Sequence, residues 1–142
     1  MQFGPGDVVE ISTPEGLAYV QVTHTHVAYP EVVRILPGFH QERPALAAVP
    51  SAKTRSVVMI PLGGALEHGK IKGARIGTAQ IPKSDRKFPT FKMPIRGKNG
   101  EIVYWWLWEG DGLTYTLEDD PRLQDASPRE VPTLQDFLSM LG

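Results

Sequence analysis

Turn signals recur along the whole chain, and the runs between them are too short for long helices. Gly4-Pro5-Gly6, Pro14-Glu15-Gly16, Pro37-Gly38, Gly63-Gly64, Lys98-Asn99-Gly100 and Gly110-Asp111-Gly112 punctuate it. Glycine supplies positive φ, and proline removes the ladder N–H and fixes its own φ, so such spacing suits many short strands joined by turns. The 14 glycines and 13 prolines are spread out rather than clustered, which argues against low-complexity disorder. No internal repeat is present. At 142 residues the chain is read as one domain spanning 1–142.

The runs between the turns have β character. Asp7 to Ile11 and Leu17 to Thr25 form a predicted N-terminal hairpin. Alternation in its second strand puts Ala18, Val20, Val22 and His24 on one face and Leu17, Tyr19, Gln21 and Thr23 on the other. Glu31 to Leu36, Arg55 to Leu62 and Arg75 to Ile81 continue the pattern, with Gly63-Gly64 ending the second of these and Gly77 marking a bulge or a close approach. Phe88 to Ile95 carries Pro89 and Pro94 and so reads as an edge strand at best. The 17 residues from Pro37 to Lys53 have no pattern beyond one or two helical turns in Arg43 to Val49. A loop of that length in a compact domain is often functional or mobile. At the far end Thr133 caps a helix in which Leu134, Phe137, Leu138 and Leu141 repeat at helical spacing. The expected fold is mainly β: a strongly bent antiparallel sheet or small β-barrel of about eight short strands with one C-terminal α-helix.

All three tryptophans fall in Glu101 to Trp108, EIVYWWLW. Asn99-Gly100 before this run and Gly110-Asp111-Gly112 after it make it the middle of a three-stranded meander. With a two- or four-residue loop, Trp108 faces Leu113, Trp106 faces Tyr115 and Tyr104 faces Leu117, while Leu107 faces Thr114 and Trp105 faces Thr116. A three-residue loop would shift the partners by one. In the first register the Trp106–Trp108 face is apolar on both strands and is expected to be core. Trp105 then lies on a mixed face, either under the C-terminal helix or as an anchor for a partner.

Charge and composition narrow the function. The net charge of −1 gives no reason to expect a nucleic-acid or anionic-membrane partner. There is no cysteine, which removes disulfides and thiolate chemistry and is compatible with a reducing cytoplasm. The opening MQFGPGDVVEI has no basic region followed by an apolar stretch, so no signal peptide is expected, and no run is long enough to span a membrane. A cytoplasmic protein without a cofactor is the resulting expectation.

Few residues carry catalytic promise. His24-Thr25-His26 is a His-x-His on a strand, where alternate side chains point the same way and could share a metal, but no third ligand has telling spacing. That pair supports an alternative reading as a small metal-dependent enzyme. Lys83, Arg86, Lys87, Lys92, Arg96 and Lys98 fall within 16 residues with Phe88 and Phe91 between them, a set that could stack bases and meet phosphates. Glu101, Glu109, Asp111, Glu118, Asp119, Asp120, Asp125 and Glu130 make the following stretch acidic. No Gly-x-Ser-x-Gly elbow and no phosphate-binding loop is present.

The stretch GDVVEISTPEGLAYVQV, Gly6 to Val22, resembles the opening of bacterial immunity proteins of the immunity protein 26 family, and IGTAQIP and KFPTFKMP follow that pattern more loosely. The dense aromatic strand and the terminal helix do not map onto it. The resemblance implies a cytoplasmic antidote that binds and blocks a toxin domain and needs no catalytic residues. The leading expectation is therefore a non-enzymatic binding protein with a protein partner, contacted through Trp105, Phe39, His40, Arg86 and Lys87. Either a homodimer or a heteromeric complex fits the long loop and the aromatic strand.

Overall fold

The computed structural model describes residues 2–110, 112–117 and 119–142. Among these residues nine strands form two sheets. The first sheet runs in the order β4-β3-β2-β1-β5, with β1 Asp7–Thr13, β2 Gly16–His26, β3 Tyr29–Ile35, β4 Ser56–Ile60 and β5 Gly73–Thr78. The second runs β8-β7-β6-β9, with β6 Phe91–Arg96, β7 Ile102–Trp108, β8 Leu113–Thr116 and β9 Ser127–Pro128. Mainly β is therefore right, but neither sheet closes into a barrel among the described residues.

The N-terminal hairpin forms as expected, turning at Gly16 with φ +137°. A side chain at Gly16 would press on the His40 carbonyl and the Phe39 side chain, so glycine is needed there for space as well as φ. Gly77 sits beside a register shift between β1 and β5, the bulge its position predicts.

The central strands are buried on both faces. Val9, Ile11, Val20, Val22, Val33 and Ile35 pack on one side with Phe137 and Leu141. Phe137 and Leu141 come from α3, Leu134–Met140, and its close. Thr133 caps this helix as expected, its Oγ1 accepting from the Asp136 N–H at 3.1 Å. Gly63-Gly64 does not simply end a strand. It lies inside a second helix, α1, Leu62–Glu67, held because Leu62 and Ala65 are buried in the same core. A third short helix, α2, spans Arg122–Asp125.

The other face of the first sheet carries Val8, Tyr19, Gln21 and Arg34, all buried, under the long 37–53 connection. That connection is not free. Leu46–Ser51 forms a 3₁₀ turn, and its Val49 packs against Val8, Tyr19 and Leu36. Buried Arg34 holds it by hydrogen bonds to the Val49 and Ala52 carbonyls, at 2.7 and 3.0 Å.

Tyr19 anchors the margin of this layer. Its hydroxyl donates to Glu10 Oε2 at 2.8 Å, and Arg43 clasps the same carboxylate. Burial pushes the Tyr19 phenol up to about 12, and the hydrogen bond to Glu10 adds to the shift. An unfolded tyrosine titrates near 10, so the folded state keeps a proton that the unfolded state loses. The resulting stability is fully present below about pH 10 and is lost as pH rises toward about 12. Urea midpoints measured across that window should fall more steeply for the wild type than for Tyr19→Phe. Equal slopes would show that the phenol ionises normally.

Candidate binding face

The second sheet meets the first at one end. Phe91 and Trp108 pack against Val32 and Met59, with Tyr29, Val57, Phe88 and Val131 around them. Trp108 lies 4.4 Å from Tyr29, 5.1 Å from Phe88 and 5.8 Å from His26, ring centre to ring centre. β9 extends the sheet by two residues, pairing in parallel with Phe91 and Lys92. The rest of β6, with Pro94, is an edge, as two prolines in that stretch require.

The register of β7 and β8 is the expected one: Trp108 faces Leu113, Trp106 faces Tyr115, Leu107 faces Thr114 and Trp105 faces Thr116. The expected burial is overturned. Trp108 is core, but Trp106 is only half-buried, and its cross-strand partner Tyr115 is 70% exposed. Leu113 is 56%, Leu117 63% and Met93 40% exposed. The sheet docks by its Phe91–Trp108 end, so the remainder of that apolar face stands in solvent. Three rings occupy its middle. Tyr104, Trp106 and Tyr115 lie 5.9 or 6.0 Å apart in every pairing, with planes crossing at 66° to 78°.

The opposite face is covered by a different element than expected. Trp105 packs with Leu107 against Leu123 of α2 and Ala126 just beyond it, while α3 belongs to the core of the first sheet. The Trp105 indole nitrogen is buried and has no hydrogen-bond partner among the described residues, and the Lys92 ammonium sits 5.6 Å over its ring.

The other residues singled out in the sequence fall in two separate sets, Phe39 and His40 beside Leu17 and Tyr19, and Arg86 and Lys87 beside His24. Phe39 is partly exposed and lies against Gly142. His40 bridges to Leu17 through its backbone and packs edge-on against Tyr19. Arg86 donates from Nε to the Ile81 carbonyl, and Lys87 beside it is exposed. His24 has both ring nitrogens engaged, Nδ1 with Thr23 Oγ1 and Nε2 with the Arg86 carbonyl, each at 2.9 Å. His26 Nδ1 accepts from the Ala28 N–H. Among the described residues no three histidine or acidic side chains come together as a metal-ligand group.

The basic segment does not form an open stacking platform. Phe91 is fully buried and Phe88 packs on His24 and Trp108. Lys92 and Arg96 spend donors on the carbonyls of Leu123 and Gly100.

A groove of about 750 Å³ runs between β4 and the 124–140 segment. Its lining includes Arg55, Asp125, Glu130 and Asp136. A comparison with known proteins finds no matching family model, curated protein or solved structure. The surface itself therefore carries the functional argument. Sequence reasoning had the right pairing here and missed both that α2 shelters Trp105 and that the Tyr104–Trp106–Tyr115 face has no cover among the described residues. No helix among the described residues is long and apolar enough to cross a membrane.

Proposed function

We propose that this chain is a non-enzymatic, cytoplasmic binding protein that engages a protein partner through the aromatic face of its second sheet. The observation that carries this reading is the exposure of Met93, Leu113, Tyr115 and Leu117 around half-buried Trp106. A contiguous apolar face of this kind is unusual on a soluble monomer and marks contact surfaces. Tryptophan and tyrosine supply large rigid contact area with a polar tip, which is why they dominate binding hot spots.

A bacterial immunity protein that blocks a toxin domain is the specific form implied by the resemblance of residues 6–22. Those residues make β1 and most of β2, which form the buried middle of the first sheet. The resemblance thus concerns the scaffold, and the contact face would be this chain's own.

The test is capture from the native host's lysate with tagged wild type and with Tyr115→Arg. Tyr115 is exposed, so the substitution should leave the fold intact while placing a charge in the apolar face. One protein recovered in equimolar amount by the wild type and lost with Tyr115→Arg is the expected result. If that protein is a toxin domain whose activity the chain abolishes, the immunity form stands. A partner retained by both variants would place the contact elsewhere.

A further inference from the structure

We propose that Tyr104, Trp106 and Tyr115 are the walls of an aromatic cage that receives an alkylammonium group. An aromatic ring carries negative charge on its face and attracts a cation placed over it within roughly 6 Å of its centre. Three equally spaced rings inclined to one another at 66° to 78° can stand as adjoining walls of a box. With centres 5.9 to 6.0 Å apart, a point faced by all three walls would lie about 4 Å from each, inside that range.

The chain uses the same attraction internally, with Lys92 over Trp105 and Arg129 over Tyr29. Among the described residues no cation sits over the three rings of the cage. The apolar rim of Met93, Leu113 and Leu117 suits the methyl groups of a quaternary ammonium better than the hydrated head of a plain lysine.

A neutral apolar guest would use the rim but gain no attraction from the negative charge on the ring faces.

The inference rests on reading this face as the contact surface, and the two fail separately. An ammonium titration needs no partner protein, and capture from a lysate needs no ammonium. Choline is titrated into the full chain, following indole fluorescence and the Trp106 N–H resonance. The control is its uncharged tert-butyl isostere, and a further arm is a peptide carrying trimethyllysine.

The expected result is at least roughly threefold preference for the cation over the isostere, lost in Tyr115→Leu, which keeps the apolar area and removes the ring. Unfolding curves confirm that this variant folds. Peptide binding tighter than choline would assign a methylated protein segment as the guest, and equal binding a small free cation. Equal affinity for the uncharged isostere, undiminished binding by Tyr115→Leu, or no response of the Trp106 resonance would overturn the proposal.

Discussion

Arg34→Ala should cost about 3–5 kcal/mol of folding stability, the largest effect of any polar substitution in this chain. The guanidinium is wholly buried, yet its direct partners are neutral. Nε donates to Gln21 Oε1 at 2.7 Å, Nη2 to the Val49 carbonyl at 2.7 Å, and Nη1 to the Ala52 carbonyl at 3.0 Å and Thr54 Oγ1 at 3.2 Å. The Thr54 hydroxyl in turn donates to Asp85 at 2.9 Å, so the compensating carboxylate stands one residue removed. Burial lowers the Arg34 pKa, and the charge of Asp85 opposes that shift. Gln21 completes the network by donating to the Ala79 carbonyl.

Truncation at Arg34 takes the donor from the Ala52 carbonyl and the Gln21 amide oxygen and leaves the Val49 carbonyl only the Ala52 N–H, and each buried group left unpaired carries a desolvation cost of about 1–3 kcal/mol. Lysine would not restore the network, because a single ammonium cannot reach acceptors arranged around a planar fork. The urea midpoint should fall at constant slope, and proteolysis should cut the 37–53 connection faster than in the wild type. A loss below about 1 kcal/mol would mean that water enters and satisfies the carbonyls in place of the guanidinium.

That role was invisible in the sequence for a physical reason. Three of Arg34's five polar neighbours, counting the two carbonyls with Gln21, Thr54 and Asp85, are side chains far apart in the chain, and the carbonyls could come from any residue. Local pattern recorded only a charged residue in an apolar strand. The N-terminal hairpin, by contrast, was legible because its information is local: alternating β-branched residues on either side of a turn that glycine must make. The pairing of β7 with β8 was legible for the same reason.

Burial was not legible there, because alternation sorts residues into two faces and says nothing about which element covers either one. α3 repeats apolar residues as a helix must, but it serves the first sheet, and the four-residue α2 that shelters Trp105 has no repeat to betray it. α1 was hidden by two glycines, which oppose helix formation intrinsically and are overridden by the burial of Leu62 and Ala65.

The second large effect follows from how the two sheets are joined. Trp108 is 6% exposed and is ringed by Tyr29, Phe88, Phe91 and His26, the first and last of which belong to the first sheet. Trp108→Ala should cost about 3–5 kcal/mol, the usual range for emptying a buried aromatic site. Trp106→Ala, two residues away on the same face, should cost only about 1–2 kcal/mol, since that ring is half in water and packs chiefly on Tyr104 and exposed Tyr115. Hydrogen exchange should separate them further. Without Trp108, amides of β6, β7 and β8 should lose protection relative to β1, β2 and β3, because the second sheet is released from its dock. Without Trp106, both sheets should stay protected. Equal costs for the two tryptophans would mean that the outer face is packed as tightly as the docked end, and both the contact face and the cage would lose their footing.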